Sequence, residues 1–397
     1  MATTLKSYPI RWANTSSPAA QPVAAKKRPE YLFIHTVRFW SMLAIVFLHC
    51  AMKFTKYETV STAEMSLMMQ PFKFGTIGFF LISGFLVGDR LPASDRISYL
   101  GRRAKRLIPA WLVWVGVDVF YSTHRDLAGI PASGLSSGVL LWIMYGATVR
   151  CLTETALWFI PNFMLALTCI VMLRRWLNDL RLGAVLLAVN LFYGVNVYTR
   201  WLPSRHTEAL FAFVFYLWLG AWCSLRKDRI LSWATAQSPW WLALWASIAA
   251  GVSLIETAIL RAQNSPDTLN SLRFANQVYS VLIVILLLRI RRRSWPSFVN
   301  VADTTYGVYL THGAAMTVLF AVAMKIVMVH GHVLAPAGIL LMWVVLAPTG
   351  YFLALQLTRT FASTQRWAWV VGAIGSSEPA RPRAAVPEAV VTQPTEA

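Results

Sequence analysis

The sequence predicts an all-α polytopic membrane protein, a bundle of about ten transmembrane helices with both termini cytoplasmic. Three observations carry that reading. First, 57% of the 397 residues are hydrophobic and only 13% are charged, against roughly 25% charged in a soluble domain. Such a chain is not an ordinary soluble protein, a disordered chain or a coiled coil. Second, apolar segments recur at the length a bilayer requires, roughly 20 residues each. Third, 36 Lys and Arg stand against 17 Asp and Glu, a net charge of +19. In a soluble protein that excess would point to nucleic acid. With ten spans and the N-terminus inside, most of it falls on the inner segments, as the positive-inside bias requires, so no nucleic-acid partner is expected.

The elements follow in order. Residues 1–30 are polar and basic, lack the apolar core of a signal peptide, and read as a disordered cytoplasmic tail. A membrane domain occupies 31–360, with spans near 31–52, 72–90, 107–122, 156–173, 181–199, 207–225, 239–260, 274–290, 304–328 and 335–358. The stretch 134–149 (GLSSGVLLWIMYGATV) is short and rich in Gly and Ser, and reads as interfacial or re-entrant. Counting it as a span would invert every later loop and destroy the charge bias. A cytoplasmic tail covers 361–397, disordered from about 375, where Pro, Ala, Glu and Thr dominate.

Ionisable residues inside spans are costly and mark functional sites. The first span holds two, Arg38 and His49. Eleven residues apart, they sit about 20° past three full turns, on one helical face, with an axial offset of about 16 Å. Arg38 lies toward the cytoplasmic end and His49 deeper. A snorkelling Arg and a hydrogen-bonded structural His would be the plain alternative. The second span contains FFLISGF, in which Ser83 and Gly84 permit close backbone approach. RISYLGRRAKRLIPAW follows at the mouth of the third span. Arg102, Arg103 and Arg106, with Lys105, form a dense cationic group suited to phosphate, although lipid headgroups account for such a group equally well.

The fourth span opens with TALWFIPNF, which places Trp158 at a boundary where aromatic anchors are common. The ninth opens with DTTYGVYLTHGA, where Tyr309 and His312 share one side of a helix. A second intramembrane His argues for a polar internal cavity. Elsewhere the chemistry is sparse. Cys50, Cys151, Cys169 and Cys223 are scattered and show no metal or disulfide spacing. His330 and His332 lack a third ligand, so no metal is expected. Glu154, Glu208, Glu256 and Asp267 are outer-side carboxylates within reach of a polar substrate, or simply solvated.

Arg38 and His49 in the first span, FFLISGF, RRAKRLIP, LWFIP and YGVYLTH occur in an order and topology that resembles the acyltransferase-3 family of integral membrane acyltransferases. The resemblance spans about residues 31–330. It implies a ten-span core and transfer of an acyl group, commonly acetyl, from cytoplasmic acyl-CoA to hydroxyls of envelope glycans. No tightly bound cofactor is implied; acyl-CoA is a substrate. A bacterial inner membrane is the implied location, with membrane lipids and a glycan or lipid-linked sugar as partners. One departure is clear. Family first spans often carry Asp three residues before the Arg, where this chain has His35.

The chemistry suits these residues. A hydroxyl attacking a thioester needs a base near neutral pKa, and His49 fits. Arg102, Arg103 and Arg106 would hold the donor's phosphates, with Arg38 on the path between. Ser83, Tyr309 and His312 are candidate oxyanion donors, and the resemblance ranks His312 first. Trp158 would offer a sugar-stacking face. Direct attack and a covalent acyl-histidine route both remain open. Two other functions compete: a transporter or flippase whose pathway Arg38 and His49 line, and an acyltransferase acting on a lipid or small molecule at the cytoplasmic side.

Overall fold

The computed structural model describes residues 32–54, 61–88, 91, 95–131, 134, 136–329 and 336–373. The expected tails, and His330 and His332, lie outside or largely outside these residues. The described chain is helical, without strands. In order it forms α1 (Leu32–Phe54), α2 (Thr62–Met69), α3 (Gly75–Gly88), α4 (Arg96–Leu127), α5 (Ser137–Glu154), α6 (Phe159–Met172), α7 (Leu180–Thr199) and α8 (Val214–Ser224). Then follow α9 (Lys227–Ala236), α10 (Pro239–Ala262), α11 (Phe274–Leu288), α12 (Val301–Val329) and α13 (Pro336–Ser363).

Six helical stretches among the described residues are long and apolar enough to cross a membrane: Leu32–Phe54, Ala63–Gly88, Leu180–Thr199, Pro239–Ala262, Val301–Val327 and Ala337–Ser363. They coincide with six of the expected spans. The other four expected spans differ for physical reasons. The third lies inside α4, a 32-residue helix with the Arg group in its first turns and Asp118, His124 and Arg125 toward its end. The sixth and eighth are short, α8 at 11 residues and α11 at 15. The fourth belongs to a bent pair. The stretch expected to be interfacial or re-entrant is the 18-residue α5, and it meets the following helix at 74°. Thr155 makes that corner. Its backbone is extended, and its hydroxyl donates to Cys151 O at 2.7 Å while accepting from Leu157 N at 3.2 Å. It thereby serves the end of one helix and the start of the next.

Helix α1 is central. Val37, Met42, Val46, Cys50 and Ala51 are buried along it, and it packs on α3, α11, α12 and α13. The tightest crossing is α3 on α8, and glycine makes it. A Cβ on Gly84 would lie 2.0 Å from Leu217 O, and one on Gly220 2.0 Å from Leu81 O. The small residues in FFLISGF therefore bring two backbones together, as membrane helices lacking a hydrophobic drive between them commonly do.

Two polar devices tie the bundle further. Arg273 is fully buried between α10 and α11. It donates to Asn270 O at 3.0 Å and Gln70 Oε1 at 3.2 Å, and also to Ser253 O and Thr257 Oγ1. Glu256 accepts from Ala275 N at 3.1 Å at the start of α11 and from the Tyr198 hydroxyl at 2.7 Å, so this carboxylate, expected to be solvated or to meet a substrate, serves the helix packing. Residues 368–371 turn back onto the bundle after α13. Trp114 Nε1 donates to Val370 O at 3.0 Å, and Arg106 Nε to Gly372 O at 3.2 Å.

Candidate functional site

The two intramembrane histidines meet. His49 Nδ1 lies 3.0 Å from His312 Nε2, with ring centroids 5.0 Å apart. His312 Nδ1 lies 2.6 Å from Tyr309 O. A carbonyl only accepts, so the Nδ1 of His312 carries a proton. The neutral ring then offers a lone pair at Nε2, which accepts from His49 Nδ1–H. His49 is left with its lone pair at Nε2. The relay Tyr309 carbonyl, His312, His49 thus fixes one tautomer of His49 and makes its Nε2 the basic atom. Both nitrogens of His312, which is 1% exposed, are occupied, so it has no N–H left to stabilise an oxyanion.

His49 lines a polar cavity of about 320 Å³ together with Lys73, Glu154, Trp158, His206 and Asp267. Glu154 pairs with Arg205 at 3.2 Å. His206 Nδ1 lies 2.6 Å from Asp267 Oδ2, and its backbone N–H donates to the same oxygen at 3.1 Å. Burial opposes charge on Asp267, but His206, its backbone N–H and the Lys73 ammonium outweigh burial and hold the carboxyl down to about 2. Trp158 is buried and meets His206 edge-on, centroids 5.2 Å apart. Glu208 and Glu256 do not line this cavity.

Arg38 lines a second cavity of about 310 Å³, with Ser83, Arg103 and Arg106 on its walls. Its guanidinium donates to Ala302 O at 3.4 Å, and Arg103 donates to the Tyr99 hydroxyl at 3.4 Å. Arg102 is exposed and is not part of this wall. Tyr309 and Phe159 line both cavities. The Tyr309 hydroxyl donates to Ala156 O at 2.6 Å, and its ring packs against Phe159 and Tyr306, with centroids 5.7 Å and 6.2 Å away. The shared face of α1 therefore presents Arg38 to one cavity and His49 to the other, with an aromatic partition between. Ser83 sits on the Arg38 side.

Sequence reading missed Lys73, His206 and Arg273. Lys73, at the outer start of the second expected span, reads as a solvated outer-side charge, yet it is 5% exposed. Its position just after Pro71, in the turn between α2 and α3, was the available signal. His206 and Asp267 are 61 residues apart, and nothing local joins them.

A family model described as an acyltransferase domain matches residues 31–371. Nodulation protein 10 of Rhizobium leguminosarum bv. viciae is similar, 26% identical over 282 residues that cover 62% of this chain and 73% of that protein. No solved structure matches.

Proposed function

The chain belongs to the acyltransferase-3 family, and from that premise we propose that it moves an acyl group, acetyl in the first instance, from cytoplasmic acyl-CoA to a hydroxyl of a cell-envelope polysaccharide or lipid-linked sugar. One observation supports this most. The His49–His312 relay faces a polar cavity that shares Tyr309 and Phe159 as wall residues with an arginine-lined one.

In this reading the donor's phosphates rest on Arg103 and Arg106 at the cytoplasmic mouth. Guanidinium groups suit phosphate because their fork makes paired, charge-assisted hydrogen bonds. The thin pantetheine arm passes Arg38 and brings the thioester to the partition. The acceptor hydroxyl enters from the other cavity and donates to His49 Nε2. As its oxygen attacks the thioester carbon, His49 takes the proton and becomes an imidazolium, still donating through Nδ1 to His312. Collapse of the tetrahedral adduct breaks the C–S bond. The leaving thiolate then takes the proton from His49, giving ester and free coenzyme A. Ten spans, cytoplasmic termini and a bacterial inner membrane belong to the same proposal, since they place the arginines on the side that holds acyl-CoA.

The test is label transfer from radioactive acetyl-CoA by the purified protein in vesicles, with His49→Ala alongside. Transfer in the native protein and its loss in the variant is the expected result. Full transfer by His49→Ala would remove the base assignment. Substrate flux across the vesicle wall without any transfer would favour a transporter, for which two aligned polar cavities would also serve.

A further inference from the structure

The His49 cavity contains a buried ammonium with no direct partner among the described residues. Lys73 is 5% exposed and lines this cavity, reached from the turn Gln70–Phe72. Among the described residues its ammonium makes no hydrogen bond and no ion pair. The cavity's carboxylates bond other groups directly, Glu154 with Arg205 at 3.2 Å and Asp267 with His206 at 2.6 Å, so Asp267 supports Lys73 through its field without touching it. A buried ammonium without a hydrogen-bond acceptor is costly, and an anion entering the cavity would supply one. The same walls carry the hydroxyls of Thr76 and Ser271 and the ring of Trp158. That set suits a polyhydroxylated ring bearing one negative group.

We propose that Lys73 binds an anionic group, carboxylate or phosphate, on the sugar acceptor whose hydroxyl is acylated at His49. This rests on the acyl-transfer reading for its chemistry but not for its binding. The acceptor class is then an acidic sugar, a uronic acid residue or a sugar phosphate, and Lys73 selects it against a neutral sugar of equal size.

The test uses the full chain in lipid nanodiscs and three probes without any acyl donor: a disaccharide containing glucuronic acid, glucose 1-phosphate, and a neutral disaccharide. Isothermal titration should show at least one anionic probe bound tenfold or more tighter than the neutral one. Which anionic probe wins separates carboxylate from phosphate. Lys73→Met should bring that probe down to the neutral level, and Lys73→Arg should restore part of the preference. Equal affinity for all three in the native chain overturns the proposal, and so does an undiminished preference in Lys73→Met. Should Lys73→Met fail to fold, the native comparison and its weakening with salt decide alone.

Adding acetyl-CoA separates this from the broader reading. Transfer to the neutral probe with no anionic preference removes the Lys73 site and keeps the enzyme. Anionic preference with no label transfer removes the enzyme and keeps the site. A uniform fall in kcat with preference intact would place Lys73 on the reacting carbonyl and overturn its role in acceptor choice.

Discussion

Replacing His312 with Ala tests whether the histidine pair works as a relay. The 3.0 Å contact to His49 Nδ1 disappears, and with it the acceptor that fixes the His49 tautomer. The proton of neutral His49 is then free to sit on Nε2, the atom that must accept. The imidazolium formed during attack also loses its partner. A hydrogen bond to a charged group is worth about 1.5–3 kcal/mol, and each 1.36 kcal/mol is tenfold in rate. We therefore expect kcat to fall by roughly 10- to 150-fold, with the KM for acetyl-CoA unchanged because the arginine cavity is untouched. Gln at this position places an amide oxygen near the site of Nε2 and should recover part of the loss. The double variant with His49→Ala should be no slower than His49→Ala alone, since residues acting as one unit are non-additive. Label transfer in vesicles measures the native protein and all four variants. An unchanged kcat in His312→Ala, or losses that multiply in the double variant, would refute the relay.

Three further outcomes follow from the geometry. Asp267 has its folded-state carboxyl near 2, against 3.8 for an unperturbed one, so its ionisation contributes about 2 kcal/mol at neutral pH. That contribution is full above pH 4 and is lost as pH falls toward 2. Asp267→Asn should therefore melt earlier than the native protein in detergent at pH 7, and the gap should close by about pH 2. Arg103→Ala and Arg106→Ala should each raise the KM for acetyl-CoA by roughly tenfold or more, the loss of one charge-assisted contact, while Arg102→Ala, off the cavity wall, should change it less than threefold in the same transfer assay. Gly84→Ala puts a Cβ 2.0 Å from Leu217 O and should cost about 1–3 kcal/mol or more by thermal melting, whereas Gly116→Ala, with nothing within 4 Å, should be neutral or slightly stabilising.

The sequence exposes much of the site because a membrane makes polar residues expensive. Arg38 and His49 stand out in an apolar run, and helical geometry alone puts them on one face. His312 stands out for the same reason, and its meeting with His49 is what two intramembrane histidines in one bundle suggest. Gly84 is readable as a close contact, although its partner Gly220 is not, since pairing across 136 positions leaves no local trace. The remaining site residues sit where polarity is cheap. Lys73, His206 and Asp267 lie in turns or loops, and a charged loop residue reads as solvated until tertiary packing buries it. The span count suffers from a related effect. Helices α8 and α11 are apolar enough to read as crossings, but they are 11 and 15 residues long, because turns at their ends consume residues that hydropathy assigns to the helix.

The partition between the cavities bears on why such a site would transfer rather than hydrolyse. Water attacking the thioester would need His49 just as the sugar does. What differs is access. The Arg38 cavity, at about 310 Å³, is at the low end of ligand sites, roughly 300–1,000 Å³, so on the proposed reading the thin arm of the donor would leave little room for solvent beside it. Tyr309 is held by its bond to Ala156 O at 2.6 Å and cannot swing without breaking it. Phe159 is held by neighbouring rings instead, with Phe80 at 4.9 Å, Tyr309 at 5.7 Å and Phe163 at 5.9 Å between centroids. An acceptor that pairs its own charge with Lys73 and its hydroxyl with His49 displaces water from both ends of the far cavity at once. On that reading occupancy on two sides would protect the reaction without a lid.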